Sequence, residues 1–223
     1  MSLSLQQTPF ELWRRKSERK GIRPQFKPVF TSYIGVENQV KYNDVLATIH
    51  SKIQDDPRHT IFFDGEILLD ADFNFINAIK NELANMDVTH LSKQVITLFE
   101  NSDLNHVFLN AFEYVVNLAI RQENFLNDSV RNNFICKLLL YAHLYIQNLD
   151  YSELDFHANH CFYYGDISRH DIYFLILLYK MGFDVVYINP LRECNYWKEI
   201  DSDKLCKKHK NSQILPIQSF LQR

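Results

Sequence analysis

One stretch of 30 residues, CFYYGDISRHDIYFLILLYKMGFDVVYINP at 161–190, constrains the fold of this chain most strongly. The run CFYY is of strand type, and Gly165 permits the turn that follows it. Ser168 and Asp171 have the spacing of a capping box, which predicts the start of a helix. Gly182 suits the left-handed residue that ends a helix. The stretch therefore predicts a strand, a turn and a helix in that order.

The residues after this predicted helix complete the unit. Residues 184–188 are almost all apolar, which is typical of a parallel strand covered on both faces. Asn189 and Pro190 end the run. Two parallel strands joined by one helix form a right-handed crossover, so 161–190 predicts part of an α/β sheet.

Ligands of open α/β sheets bind outside the carboxyl ends of the strands. The candidate ligand-binding residues are therefore those at the two predicted strand ends: Tyr164, Gly165, Asp166, Ser168 and Asn189. A purely structural interpretation has equal weight. In it Gly165 forms a turn, Asp166 is an exposed loop residue, Ser168 caps a helix and Asn189 forms a turn before proline. Neither the dinucleotide-binding nor the P-loop glycine motif follows the first strand, so the cofactor is left unknown.

Elsewhere the patterns favour helices with short strands. Residues 29–36 are rich in strand formers, and 103–120 and 128–149 carry apolar side chains at the spacing of amphipathic helices. In the run TIFFDGEILL at 60–69, Asp64 and Gly65 lie between apolar residues, which predicts a β-hairpin. The likeness of 61–67 to 161–167 also leaves an internal repeat open.

These elements predict an α/β fold in which an N-terminal, mainly helical layer packs beside a small Rossmann-like parallel sheet. We divide the chain into a basic segment at 1–28, a mainly helical region with short strands at 29–150, and a Rossmann-like region at 151–223. The last two regions are also compatible with one continuous domain.

Charge and composition limit the function classes. Residues 11–28 carry seven Lys or Arg against two Glu, whereas the net charge of the whole chain is −3. The acidic remainder disfavours nucleic-acid binding, although a basic strip attracts phosphate groups. The absence of a long apolar run and of a secretory leader pattern predicts a cytoplasmic protein without a membrane span.

Soft metal ligands recur around the predicted sheet. The leading interpretation is that no metal is bound, and the alternative is a zinc site built from His157, His160, Cys194, Cys206 and His209. Their spacing matches no standard zinc motif. The same thiols, with His209 and Asp201 or Asp203, offer a non-specific nucleophile set, so we assign no catalytic residue.

The segment YYGDISRHDIYFLILLYKMGFDVVYINP, followed by WKEIDSDKL at 197–205, resembles the bacterial YceG-like family. The segments YIGV at 33–36 and VRNNFICKLLLYAHLY at 130–145 are similar to that family in order, so the likeness covers the chain from about residue 28. The resemblance implies that the chain is a component of a biosynthetic module in tellurite-resistance (Ter-type) gene neighbourhoods. It also implies that members of this family typically continue past the position of Arg223.

Two function hypotheses follow. In the first, this stress-response component binds or processes a nucleotide or nucleoside-like metabolite at the strand ends. In the second, it is a non-catalytic assembly component whose helical layer docks partner proteins of the same pathway. The sequence does not decide whether the chain is an enzyme.

Overall fold

The computed structural model describes residues 3–20, 27–91, 94, 96–150 and 158–220. The helices are α1 (Thr8–Glu11), α2 (Gln39–Asp55), α3 (Phe73–Ala84), α4 (Ser102–Gln122), α5 (Asp128–Tyr145), α6 (Arg169–Lys180) and α7 (Trp197–Ile200), with a 3₁₀ turn at Lys16–Glu18. The strands are β1 (Phe30–Ile34), β2 (Thr60–Asp64), β3 (His160–Tyr164), β4 (Asp184–Asn189) and β5 (Lys207–Lys210).

The strands form one parallel sheet with the order β2-β3-β4-β1-β5. β3 pairs with β4 from His160 opposite Asp184 to Tyr164 opposite Ile188, which confirms the predicted strand-helix-strand unit. The α/β fold class is also confirmed. The regions 29–150 and 151–223 share this sheet, because the first supplies β1 and β2 and the second supplies β3, β4 and β5.

The two faces of the sheet carry different helices. Buried side chains of α2 pack with alternate residues of β1, β3 and β4, whereas α4, α5, α6 and α7 pack on the opposite face. The chain runs along the sheet in one direction from β1 to β2, and in the opposite direction from β2 through β3 and β4 to β5. Right-handed crossovers therefore place the connection after β1 on one face of the sheet and the later connections on the other. The chain therefore leaves the carboxyl ends of β1 and β4 towards opposite faces, which makes their boundary a topological switch point.

Local signals set both ends of α6. Ser168 accepts a hydrogen bond from the Asp171 amide at 3.2 Å, and the Asp171 carboxylate accepts one from the Ser168 amide at 3.3 Å, which confirms the predicted capping box. Gly182 follows the helix with a φ of +98°, in the left-handed region that glycine favours. The apolar circumference of α6 is buried between the sheet and helices α4 and α5.

The hairpin predicted at 60–69 is wrong. β2 ends at Asp64, and its partner is the parallel strand β3. The Gly65 amide donates to the Tyr164 carbonyl at 2.8 Å, and the chain then leaves the sheet without forming a second strand. Ile67 is buried in the core beside α5 instead. The similar segments 61–67 and 161–167 are thus neighbouring parallel strands that end in glycine turns at the same edge.

The basic N-terminal segment packs against the sheet over the part that the structure describes. Leu3, Thr8 and Leu12 are buried. Arg19 is also fully buried, and its Nη2 lies 2.7 Å from the Oδ2 of Asp184, the first residue of β4. One charge of the predicted basic strip is therefore neutralised inside the protein.

Residues 211–220, which we call the strap, cross the carboxyl edge of the sheet. The Asn211 amide donates to the Ile34 carbonyl at 2.8 Å, and the Gln213 carbonyl accepts from the Val36 amide at 2.7 Å. The Leu215 amide donates to the Pro190 carbonyl at 3.0 Å. The strap thus begins over β1 and β4, at the switch point. None of the helices in the described part of the chain has the length and apolar character needed to cross a membrane.

Candidate functional site: a cleft at the carboxyl edge of the sheet

A cleft of about 720 Å³ opens at the carboxyl ends of β2 and β3. Its walls are the turns after these strands, the start of α6 and the residues 217–219 of the strap. The volume falls in the range of pockets that hold small metabolites. Of the two strand ends predicted to form a site, the end of β3 therefore borders this space and the end of β4 does not line it; the second strand end at the cleft is that of β2.

Acidic groups dominate this cleft. The lining includes the acidic residues Asp64, Glu66, Asp166 and Asp171, together with Ser168 and Ser219. Among the residues that the structure describes, no Lys or Arg lines it. A free phosphate group would meet repulsion here, whereas hydroxyl groups and cationic groups would find acceptors.

The predicted site residues separate into two groups. Gly165, Asp166 and Ser168 line the cleft. Tyr164 does not, because its ring is buried on the α2 face of the sheet, 5.2 Å from the ring of Phe220. Asn189 is buried as well. Neither Tyr164 nor Asn189 lines the cleft, so this cleft does not support their predicted role as ligand contacts.

Asn189 positions the turns around the cleft. Its side-chain amide nitrogen lies 3.0 Å from the Gly165 carbonyl and 3.1 Å from a carboxylate oxygen of Asp166. Its side-chain oxygen accepts hydrogen bonds from the amides of Leu191 and Arg192, both at 2.9 Å. One asparagine thus ties the turn after β3 to the turn after β4.

Asp166 and Asp171 lie in contrasting environments. The guanidinium of Arg192 donates to Asp166 at 2.8 Å, and this bond, assisted by Asn189, holds the pKa of Asp166 below its usual range. Asp171 is fully buried, and burial raises its pKa although Ser168 and Tyr163 stabilise the carboxylate by hydrogen bonds. One carboxylate therefore stays charged at the rim, and the other holds a proton more readily at the floor.

Two tyrosines extend the site beneath Asp171. The Tyr163 hydroxyl lies 3.1 Å from an oxygen of Asp171 and 2.9 Å from the Asp166 carbonyl, two acceptors that share its one hydrogen. The Tyr141 hydroxyl lies 3.4 Å from the other oxygen of Asp171 and 3.1 Å from the Ile67 carbonyl. Burial is the main reason that the pKa of both tyrosines is raised. Helix α5 thereby supports the floor of the cleft.

Replacing Asp171 by Asn is expected to change how stability depends on pH. Because the folded protein raises the pKa of Asp171, that carboxyl destabilises the fold progressively as pH rises from about 4 through the folded pKa. Each unit by which the folded pKa exceeds the unfolded one removes about 1.4 kcal/mol above that window. Urea unfolding of both proteins between pH 3 and 8 measures the difference.

Asp166→Asn is the matched control for this measurement. The pKa of Asp166 is lowered, so its contribution is present above the unfolded pKa and is lost as pH falls through the folded pKa. The difference in unfolding free energy between variant and wild type should therefore change with pH in opposite directions for the two variants. Parallel slopes would contradict the environments described above.

Several residues of the cleft were not among the predicted site residues, and Asp64, Glu66 and Ser219 are the polar ones outside α6 that matter most for the cleft. Asp64 was assigned to a hairpin turn, yet its Oδ2 accepts from the Ser219 hydroxyl at 2.8 Å and from the Phe220 amide at 2.9 Å. Glu66 and Ser219 line the same space. The likeness of 61–67 to 161–167 was the signal that could have revealed Asp64 and Glu66, since equivalent strand ends meet at one edge.

The four described ligands of the alternative metal site lie on different parts of the fold, with Cys194 in the loop between β4 and α7. His157 lies outside the described residues. His160 is buried at the amino end of β3, and Cys206 precedes β5, which places them three strand spacings apart, about 14 Å. His209 stacks on Tyr33 at 4.9 Å between ring centres. Among the described residues, no three His, Cys, Asp or Glu side chains are arranged to hold a metal ion.

The candidate nucleophile set has little support. Cys206 is buried, and burial raises the pKa of its thiol to about 12, so the thiolate is disfavoured at neutral pH. Asp201 accepts hydrogen bonds from the amides of Leu205 at 2.7 Å and Cys206 at 3.0 Å. This carboxylate therefore organises the loop before β5.

Comparison with known proteins gives the family. The model of the YceG domain matches residues 7–223, nearly the whole chain. The chain belongs to the YceG-domain family. This match confirms the family resemblance found in the sequence, and it includes both the strand-end turns and the strap. A search of curated proteins found no match, and neither did a search of solved structures.

Proposed function

We propose that this YceG-domain chain binds a nucleoside-like metabolite in the cleft at the carboxyl ends of β2 and β3. The observation that carries the proposal is the grouping of Asp64, Glu66 and Asp166 around a space of about 720 Å³ at that edge. Carboxylates at this position of α/β sheets accept hydrogen bonds from ribose hydroxyls. We further propose, as the sequence resemblance implies, that the chain acts in a tellurite-type or toxic-oxyanion stress response.

The charge of the cleft narrows the ligand class. A nucleotide phosphate would lie near Asp64, Glu66 and Asp166 without a Lys or Arg among the described lining residues, and Arg192 at the rim is already paired with Asp166 at 2.8 Å. The diol of a nucleoside or sugar has no such penalty, and it donates two hydrogen bonds to ionised acceptors. We therefore favour a nucleoside over its phosphate ester as the bound form.

A thermal-shift screen against nucleosides, nucleotides and sugar nucleotides tests the proposal. A ligand present at 100 times its dissociation constant adds about 2.7 kcal/mol to the free energy of unfolding. We expect a shift with at least one nucleoside, and a smaller one with its monophosphate. The absence of a shift across the whole screen would contradict the proposal.

Substitutions of cleft residues test whether a bound nucleoside lies in the cleft. Asp166→Asn and Glu66→Gln should each weaken binding of the best nucleoside by about ten- to a hundredfold, because each removes a hydrogen bond to a charged acceptor. Glu82→Gln, an exposed glutamate on α3, is the matched control and should leave the affinity unchanged. Equal affinities for Glu66→Gln and Glu82→Gln, by isothermal titration calorimetry, would place the ligand elsewhere.

A second candidate function is docking of a partner protein from the same resistance module. Three apolar side chains at the junction of α4 and α5 are exposed: Ile120 by 37 %, Leu126 by 90 % and Val130 by 42 %. Such a cluster is a candidate protein contact. The absence of a thermal shift with every ligand of the screen, together with a purified partner whose binding is abolished by Leu126→Ser, would favour this function.

A further inference from the structure

The switch point of this sheet is filled by the chain itself. Ligands of open α/β sheets commonly enter the crevice between strands whose connections leave to opposite faces, here β1 and β4. Residues 211–215 occupy that position and hydrogen-bond to Ile34, Val36 and Pro190. A Cβ atom on Gly35 would lie 2.7 Å from the Gln213 carbonyl oxygen. This half of the strap is therefore a close-packed part of the fold.

The other half of the strap is held differently. Across 217–220, the Oδ2 of Asp64 accepts hydrogen bonds from the Ser219 hydroxyl at 2.8 Å and the Phe220 amide at 2.9 Å, which join the strap to the sheet edge. Asp64 itself is exposed. The Phe220 ring adds an apolar anchor, 4.8 Å from the ring of Phe62 and 5.2 Å from that of Tyr164.

The half joined to Asp64 is also the part that borders the cleft. Ile217, Gln218 and Ser219 form one wall of it. A methyl group of Ile217 lies 3.6 Å from the position that a Cβ on Gly165 would take. Displacement of this half would widen the cleft towards the switch point, whereas residues 211–215 would stay in place.

We propose that residues 217–220 are a displaceable cover of the cleft, which turns about the chain between Leu215 and Ile217 and is latched by Asp64 and Phe220. What the cover admits rests on the proposed function, a nucleoside-like metabolite. In the closed state Gln218 and Ser219 complete the wall around the ligand. Segments that open for ligands are generally drawn from the less stable parts of a fold.

Hydrogen-deuterium exchange without any ligand tests the cover itself. In wild type the amides of 217–220 should exchange well before those of Asn211 and Leu215. Asp64→Ala should accelerate the amides of 217–220 by about tenfold or more, since both latch hydrogen bonds are lost, and leave Asn211 and Leu215 unchanged. Asp70→Ala, another exposed aspartate after β2, is the control and should change neither group.

Two results would overturn the proposal. One is exchange of 217–220 at the rate of Asn211 and Leu215 in wild type, which would make the strap a single fixed unit. The other is equal acceleration of both groups in Asp64→Ala, which would mean that Asp64 supports the fold as a whole.

Repeating the exchange experiment with adenosine distinguishes failure of the cover proposal from failure of the proposed function. Saturating adenosine should slow exchange at 217–220 in wild type, and Phe220→Ala, which removes an anchor outside the cleft lining, should bind adenosine with a faster association rate. Adenosine binding without any slowing would overturn the cover as a gate. If neither protein binds any nucleoside, the proposed function fails, and the exchange result still decides whether the cover exists.

Discussion

Asp184→Asn is expected to lower the free energy of unfolding by about 3–5 kcal/mol at pH 7, because it leaves the guanidinium of Arg19 buried without its counter-charge. Both side chains are fully buried, and Asp184 also accepts a hydrogen bond from the Val29 amide at 2.8 Å. His160 lies close, with its Nδ1 3.4 Å from Oδ2 of Asp184. Urea unfolding followed by circular dichroism measures the loss.

The control for this prediction is Asp128→Asn. Asp128 pairs with Arg131 at 3.1 Å, but its side chain is 83 % exposed, so the same chemical change should cost no more than about 1 kcal/mol. Adding Arg19→Met to Asp184→Asn should restore part of the lost stability, since no buried charge then remains. Additive losses in the double variant would contradict a coupled pair.

The effect of Asp184→Asn should also depend on pH. Burial opposes ionisation of Asp184, yet His160 and Arg19 outweigh it, and the pKa of Asp184 is lowered. A lowered folded pKa gives stability that is present above the unfolded value of about 3.9 and is lost as pH falls through the folded pKa. The gap between wild type and variant should therefore narrow below about pH 4.

The second large effect is expected for Gly35→Ala, a loss of about 2–5 kcal/mol. Gly35 has a φ of +72°, and an added Cβ would lie 2.7 Å from the Gln213 carbonyl oxygen and 2.8 Å from that of Asn211. Both contacts are with backbone, so relief requires movement of the strap. Backbone strain and overpacking therefore add.

Gly182→Ala separates the two contributions. Gly182 has a φ of +98°, but nothing lies within 4 Å of an added Cβ. It should lose only the strain of a left-handed residue, about 1–2 kcal/mol. Urea unfolding of both variants gives the difference, which measures the close approach of the strap. Equal losses would show that residues 211–215 do not press on the end of β1.

The sequence predicted the unit 161–190 well because its signals are local. The capping box of Ser168 and Asp171, the glycine after α6 and the apolar run of β4 all act between residues a few positions apart, and each was found as predicted. The same reasoning failed at Asp64. An aspartate before glycine favours a tight turn, but the neighbour of β2 is β3, about 100 residues later in the chain.

Three of the five predicted site residues line the cleft, and the other two do not. Strand ends could be located, so Gly165, Asp166 and Ser168 were predicted at the cleft that they line. The side that Tyr164 faces could not be chosen, because successive strand residues alternate between faces and the pattern does not tell which face borders a cleft. Asn189 was found at the right place, but as the residue that ties two turns together.

By itself the sequence determined which segments are strands and helices around α6 and where their edges lie, because propensity, capping and periodicity depend on neighbours in the chain. Only the tertiary structure decided what meets at those edges. The Asp64 carboxylate holds the amide of Phe220, 156 positions away, and Arg19 neutralises Asp184 inside the core. Such contacts depend on strand order and on which face each connection takes, and these are set by the packing of the whole sheet.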